Sequence, residues 1–229
     1  TIDGGERIET DAVVFTGHPR NLLALCRDTA LRPAYRTRLM ELEDTASFFG
    51  VSALCRCDGG PPQCGHSFVY RGLDTERQYS QDLLGTRELP NGVFSSAWPA
   101  GDAAWLLSVF AVSRAEEWSR WAGTRTGTRP EDYRQVKADM SERIVRVARE
   151  GLGGSSWRVE SLDSFSPLTL RDYMGTASCS AYGVKKSIAA LPAGRIAAAT
   201  RVKGLFLAGQ SVILPGVVGT VISAVEACA

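Results

Sequence analysis

The sequence lacks several features that would point to a common class of protein. Among 229 residues it has two histidines, His18 and His66, on unlike segments, which argues against a serine hydrolase triad. The 26 Lys and Arg residues balance 25 Asp and Glu residues, so the net charge is +1. No basic stripe is interleaved with aromatic residues. We therefore expect neither hydrolase chemistry nor nucleic-acid binding.

A glycine-rich phosphate-binding turn is also lacking. Dinucleotide-binding domains commonly begin with a strand, a Gly-x-Gly-x-x-Gly turn and a helix. The glycine-rich runs beginning at Gly123 and Gly151 have neither a buried strand before them nor an apolar helix after them. We therefore interpret both runs as loops.

The six cysteines show no spacing typical of a disulfide framework, which favours a reducing compartment. Cys55, Cys57, Cys64 and His66 lie close enough in sequence to offer four ligands to zinc. Their spacing differs from that of the common zinc fingers. An ordinary hairpin loop is our interpretation, so no metal ligand is assigned, and zinc or a Cys–Cys bridge stays open as an alternative.

The composition that is present, 44% hydrophobic and 22% charged, allows one large or two small domains with a sizeable core. Residues 130–150 carry an apolar stripe at helical spacing, which predicts a packing helix. β-Branched and aromatic residues predict a strand-rich middle region. The predicted strands are Phe48–Leu54, Ser67–Tyr70, Val93–Trp98, Trp105–Val112 and Trp157–Leu162.

The carboxyl-terminal segment combines a short apolar run, a polar turn and a helix rich in small residues. The apolar run predicts a buried strand over Leu205–Ala208, ended by Gly209. A helix with proline in its first turn is predicted over Pro215–Ala227. Such a helix directs free backbone N–H groups toward an anionic or electron-rich ligand atom. No residue from 205 to 225 is charged, so a membrane span is the alternative, although Leu214-Pro-Gly216 interrupts it.

Two blocks late in the chain resemble one family of flavoproteins. The run Phe206-Leu-Ala-Gly-Gln-Ser211, followed by Leu214-Pro-Gly-Val-Val-Gly-Thr-Val-Ile-Ser-Ala224, is similar to the carboxyl-terminal flavin motif of the phytoene desaturase, carotenoid isomerase and retinol saturase family. Ser166-Pro-Leu-Thr169 and Tyr182-Gly183 resemble segments that precede this motif in the family. The resemblance covers most of the chain, is weak in the middle, and is nearest to the retinol saturase branch.

The resemblance implies an α/β fold, mixed α+β in detail, of the amine oxidase superfamily type. A partial FAD/NAD(P)-binding, Rossmann-like domain would comprise residues 1–30 and 164–229, with an inserted sheet-plus-helix substrate domain at residues 31–163. The implied activity is hydride transfer through N5 of FAD at C=C or C–C bonds of an apolar polyene, a carotenoid-like or retinoid-like compound. No catalytic residue is assigned. The resemblance assigns substrate binding to Tyr182 and Gly183, and FAD binding to Gly209, Gln210, Leu214, Pro215, Gly216, Val217 and Gly219.

Because the pyrophosphate-binding turn is lacking and the chain starts at Thr1, we expect it to correspond to the carboxyl-terminal half of such a flavoprotein. An amino-terminal half would then be a partner that supplies the turn. An apolar substrate predicts peripheral membrane contact and a cytoplasmic or peripheral-membrane location. A non-catalytic lipid- or prenyl-protein-binding member of the same fold is the alternative function.

Several charged residues are expected to have no role in chemistry. His18 precedes a proline at a helix start and is expected to be a cap or surface residue. Arg171 and Asp172 are interpreted as a surface pair. Lys185-Lys186 is interpreted as a solvated edge, with contact to polar lipid head groups as the alternative.

Overall fold

The computed structural model describes residues 5, 7–26, 30–57, 65–101, 103–152, 157–187 and 196–229. Within these ranges the strands are β1 (Val13–Phe15), β2 (Phe48–Arg56), β3 (Gly65–Tyr70), β4 (Gly92–Pro99), β5 (Ala104–Val112), β6 (Arg158–Phe165) and β7 (Leu205–Leu207). The α-helices are α1 (Leu22–Leu25), α2 (Pro33–Met40), α3 (Arg77–Ser80), α4 (Leu83–Thr86), α5 (Glu131–Gly151), α6 (Pro167–Met174) and α7 (Gly216–Cys228). Two 3-10 helices span Pro19–Asn21 and Ala115–Trp121.

The chain forms two compact units. The first comprises residues 1–45, 174–176 and 182–229, and the second comprises residues 46–173 and 177–181. The predicted insertion, residues 31–163, overlaps the second unit but begins earlier and ends sooner. The second unit begins later than predicted because α2 belongs to the first unit. Leu39, at the end of α2, is buried in the core of the first unit together with Leu22 and Leu207. The assignment of the units to flavin and substrate stays a prediction.

The first unit is built on a pair of parallel strands. β1 and β7 pair with Val13 opposite Leu205 and Phe15 opposite Leu207. Leu207 is buried, as the apolar run of the sequence predicted, and α7 packs against β7. The helix begins at Gly216, close to the predicted start. None of the helices in the described ranges has both the length and the apolar character that crossing a bilayer requires.

The second unit is an antiparallel sheet with one covered face. Its strand order is β3-β4-β5-β2-β6, and α5 packs across all five strands. Alternate residues of β2, including Phe49 and Val51, point into this core, whereas Ser52 is exposed on the opposite face. The predicted helical stripe is confirmed, because Tyr133, Met140, Ile144 and Val147 are all buried. The mixed α/β class predicted from the sequence is confirmed by these two sheets.

Asp172 in α6 is the centre of a buried ionic cluster. The expected pair with Arg171 is confirmed at 2.7 Å, but its expected place on the surface is wrong. The Asp172 side chain is 7% exposed and that of Arg171 14%. The carboxylate pairs with Arg129 at 2.6 Å and also accepts bonds from the Thr126 backbone and hydroxyl. Burial opposes ionisation of Asp172, but the hydrogen bonds from Arg171 and Thr126 outweigh it and hold the pKa at about 2, below the ordinary 3.8. Sequence reasoning missed the cluster because Arg129 lies 43 positions away.

We expect Asp172→Asn to destabilise the protein by about 2–4 kcal/mol, because it leaves the buried Arg129 guanidinium without its counter-charge. A depressed carboxyl pKa contributes stability that is complete above about pH 4 and is lost as pH falls from 3.8 toward about 2. The variant should therefore lack this acid-dependent loss. Urea unfolding at a series of pH values measures both effects.

Glu43→Gln is the control, since Glu43 pairs with Lys185 at 3.3 Å and both side chains are exposed, at 71% and 53%. This change should cost less than about 1 kcal/mol. Equal losses in the two variants would contradict the role given to the Asp172 cluster.

Candidate functional site

The turn after β7 is held by close backbone contacts at Gly209. The Ala208 N–H donates to the Phe15 carbonyl at 3.1 Å, which continues the pairing with β1. Gly209 has a φ of +103°, and a Cβ built there would lie 3.1 Å from the Thr16 carbonyl oxygen. Its N–H donates to the Ser223 hydroxyl on α7 at 2.8 Å. The turn therefore connects the end of β1 with the middle of the last helix, and only glycine fits it without strain.

The amino end of α7 presents backbone donors that no side chain caps. Pro215 is the N-cap and has no N–H, and an α-helix leaves its first amides, here those of Gly216, Val217 and Val218, without an intrahelical acceptor. Val217 is 81% exposed, and nothing lies within 4 Å of a Cβ built on Gly216. An acceptor atom of a ligand therefore has open access to these amides.

Gly219 places the preceding turn against this helix end. A Cβ at Gly219 would lie 2.2 Å from the Leu214 carbonyl oxygen, a distance that real atoms do not adopt. The absence of a side chain thus lets Leu214 and Pro215 fold back over the first turn of α7. The amide-bearing helix end and the Gly209 turn form one continuous segment.

Tyr182 and Gly183 are brought to this segment from an earlier part of the chain. The Thr45 N–H donates to the Gly183 carbonyl at 2.9 Å, and the Tyr182 N–H donates to the Thr45 hydroxyl at 3.1 Å. Gly183 has a φ of +71°, and a Cβ there would lie 2.1 Å from Ser211 Oγ and 3.8 Å from Gln210 Cγ. The structure therefore places the two predicted blocks in contact. Tyr182 is 47% exposed.

Lys186 is held at the turn rather than on a solvated edge, which corrects the expectation for half of the lysine pair. Its ammonium donates to the carbonyls of Ser211 at 2.8 Å and Val212 at 3.1 Å. Burial lowers the pKa of Lys186 below its usual 10.5. Lys185 is exposed and pairs with Glu43 at 3.3 Å. Neighbouring side chains of an extended segment point to opposite sides, a signal that could have identified one half-buried lysine.

His18 is a buried cap, so the expectation of a helix cap is confirmed and that of a surface residue is wrong. Its Nδ1 accepts from the Arg20 N–H at 3.3 Å, and Nε2 lies 3.0 Å from Asp44 Oδ1 with the His18 side chain 3% exposed. Arg20 pairs with the other oxygen of Asp44 at 2.8 Å. Both ring nitrogens thus have structural partners within the first unit.

The residues considered for zinc do not gather where the structure describes them. Cys55 is fully buried on the face of the sheet that α5 covers. His66 lies on the open face, where its ring stacks on Phe94 at 5.5 Å, and two strands separate β3 from β2. Burial raises the pKa of the Cys55 thiol to about 11, which disfavours the thiolate that zinc requires. Cys64 lies outside the described residues.

The β7–α7 segment can bind an electron-rich group, but its residues 205–225 offer no acid or base, and the nearby Lys186 ammonium is held on two backbone carbonyls. The donors of the segment are the amides at the start of α7, and residues 205–225 contain no charged side chain. Such an arrangement stabilises negative charge on a bound group through neutral dipoles. Any electron-transfer or hydride-transfer chemistry therefore has to come from a cofactor.

The chain is similar in sequence to a reductase and in fold to an oxidoreductase. The chain is 24% identical over 234 residues to all-trans-retinol 13,14-reductase of Danio rerio, covering 94% of this chain and 38% of that protein. Its fold is similar to that of an oxidoreductase from Methanosarcina mazei, with a TM-score of 0.51 and 16% identity over 97% of this chain and 44% of the other. Cyclohexylamine oxidase from Brevibacterium oxydans gives a TM-score of 0.47 and 15% identity over 99% and 42%. No known family profile matches the chain.

These similarities confirm the predicted resemblance to the retinol saturase branch and the fold of an oxidoreductase. The chain spans 38% of the length of the Danio rerio relative. The roles of the individual site residues stay predictions.

We expect Gly183→Ala to destabilise the first unit by about 2–4 kcal/mol, because the new methyl group meets Ser211 Oγ and the residue must keep a positive φ. Gly216→Ala is the matched control, since its φ is +85° but the space around it is open. This control should cost about 1 kcal/mol from backbone strain alone. Urea unfolding compares the two, and equal losses would show that the contact with Ser211 contributes nothing.

Proposed function

We propose that the protein is an FAD-dependent oxidoreductase that acts on C=C or C–C bonds of an apolar polyene. The observation that carries this proposal is the uncapped start of α7, folded against the Gly209 turn and joined to Tyr182 and Gly183. This arrangement occurs in a chain similar to a retinol reductase. Reduction and oxidation remain equally compatible with the site.

The residues of the segment fit an isoalloxazine edge. The amides of Gly216 and Val217 would face the N1 and C2 carbonyl edge, where the reduced cofactor is rich in electrons. The open space beside Gly216 leaves room for a planar ring at van der Waals distance. Gly209 and Gln210 would lie toward the ribityl and phosphate part, and Leu214, Pro215 and Gly219 would shape the turn. When bound, FAD would supply the hydride acceptor or donor at N5.

The role of this chain is then to bind and orient the substrate and the cofactor and to exclude water from the site. Tyr182, half-exposed beside the turn, would contact the substrate, while Gly183 keeps the Tyr182 segment against Ser211. No proton transfer is assigned, because residues 205–225, which form β7 and most of α7, include no titratable side chain.

An amino-terminal dinucleotide-binding half would complete the first unit. Parallel strands usually lie inside larger sheets with layers on both faces. In the described part of the first unit, the sheet consists of β1 and β7, with one isolated bridge from Ala199 to Phe206. On α7, Val217, Val218 and Val225 are 81%, 72% and 64% exposed, an apolar face that an isolated monomer rarely shows. A partner with its own strands and the pyrophosphate-binding turn would cover this face. An apolar substrate also supports peripheral membrane contact and a cytoplasmic or membrane-surface location.

The competing function is lipid or prenyl-protein binding without redox chemistry. The lack of an acid or base in residues 205–225 is compatible with it. Stable flavin bound near Gly216 that is reduced or oxidised by a polyene would decide for the enzyme, and tight polyene binding without flavin would decide for the binder.

The proposal is tested by co-expressing the chain with an amino-terminal half carrying the pyrophosphate-binding turn and measuring visible flavin absorbance after gel filtration. We expect bound flavin in the complex. Gly219→Ala should lower the affinity for FAD by roughly tenfold or more, because the methyl group displaces the Leu214 carbonyl and with it the turn that precedes the helix amides.

Thr220→Ala is the control, since Thr220 is exposed on the next position of α7 and its change introduces no clash. It should leave FAD affinity unchanged. A folded complex that retains no flavin, or a Gly219→Ala variant that binds FAD as the parent does, would refute the assigned site.

A further inference from the structure

A row of aromatic rings crosses the open face of the sheet in the second unit. Phe68, Phe94, Phe110 and Phe165 follow one another with ring centroids 5.0, 6.0 and 5.7 Å apart. The row begins at the exposed ring of Phe68 on β3, an edge strand, and ends at Phe165 on β6, the opposite edge. These four rings are called the aromatic row below. It is a continuous apolar path long enough for an extended hydrocarbon chain.

Gly50 keeps the aromatic row continuous. It lies on β2 between Phe110 and Phe165 and pairs with both. A Cβ at Gly50 would lie 2.2 Å from the Phe165 ring and 2.6 Å from the Phe110 ring. The two rings therefore meet above a strand that contributes no side chain of its own at this point.

The aromatic row ends at a polar hollow. Phe165 also lines a cavity of about 280 Å³ formed by β2, β6, α6 and the first two turns of α5 with the loop before them. Its charged lining residues are Arg129, Lys137 and Asp163, so positive charge is in excess. An apolar path thus leads directly into a site with basic character.

Lys137 is the polar group of this hollow with spare hydrogen-bonding capacity. Its Nζ donates to the Ser164 carbonyl at 2.5 Å, the one acceptor it contacts among the described residues, although an ammonium carries three N–H donors. Arg129, in contrast, is bonded to Asp172 and to two backbone carbonyls. Burial lowers the pKa of Lys137 below 10.5, with Asp163 acting in the opposite direction and Arg129 adding to the decrease.

We propose that the second unit binds an elongated apolar ligand with a terminal carboxylate, its chain along the aromatic row and its carboxylate on Lys137. This inference deepens the proposed function, on which it rests for the identification of the ligand as the substrate, by giving that substrate a charged end. A half-buried ammonium with unused donors gains most from an ionised acceptor. The excess positive lining favours a carboxylate over a hydroxyl or an ester.

The experiment uses parinaric acid, a fluorescent conjugated tetraene carboxylic acid, together with its methyl ester and the corresponding alcohol. The chain should bind the acid roughly tenfold more tightly than the alcohol or the ester, as a charge-assisted hydrogen bond implies. Lys137→Met should remove this preference and leave the affinity for the alcohol and the ester unchanged, and Lys137→Arg should restore most of it.

Two controls separate charge from apolar contact. Phe94→Ala should weaken all three ligands alike, since it interrupts the aromatic row. Lys203→Met, at an exposed lysine of the first unit, should change none of them. Circular dichroism spectra and melting curves establish that each variant is folded.

The proposal is overturned if the folded chain binds none of the three probes, if it binds them equally, or if Lys137→Met weakens all three to the same degree. No flavin takes part in these titrations. Failure of the chain to hold FAD would therefore contradict the proposed function and leave this binding preference in place. Bound FAD without a preference for the acid would contradict this inference and leave the proposed function in place.

Discussion

Close approach of oxygen atoms to three glycines is the constraint on which the first unit depends. A Cβ would lie 2.1 Å from Ser211 Oγ at Gly183, 2.2 Å from the Leu214 carbonyl oxygen at Gly219 and 3.1 Å from the Thr16 carbonyl oxygen at Gly209. These contacts connect the end of β1, the Tyr182 segment and the start of α7. Because each of them orients backbone rather than side chains, the site consists mainly of amide donors whose positions are fixed by the fold.

Much of the fold could be predicted from the sequence, since local pattern and burial agree there. The alternation in β2 and the stripe from Tyr133 to Val147 on α5 report directly which side faces the core. The start of α7 follows from Pro215 and the glycines around it. In these segments each residue's environment is set mainly by the period of its own element, so one sequence is enough.

The remainder depended on partners distant in the chain. From the sequence, Asp172 is predicted to be a surface residue and Lys186 to be solvated. In the structure Asp172 pairs with Arg129, and the Lys186 ammonium donates to the Ser211 carbonyl. The two predicted site blocks were recognised from the sequence, but their contact through Gly183 and Ser211 was not predicted. A glycine in the sequence does not indicate which distant residue packs against it. The hollow at Lys137 was missed for the same reason, since its lining comes from three separate segments.

The character of the donors at α7 restricts what they can hold. A fixed multivalent anion such as free phosphate is usually met by arginine or lysine side chains as well as by helix amides, and residues 205–225 contain neither. Lys186, the nearby cation, has its ammonium on the carbonyls of Ser211 and Val212. A helix end supplies about half of an elementary charge, which suits a group that alternates between neutral and electron-rich states. The lack of cationic side chains in residues 205–225 therefore supports the proposal of a redox cofactor at this segment over that of a permanent anion.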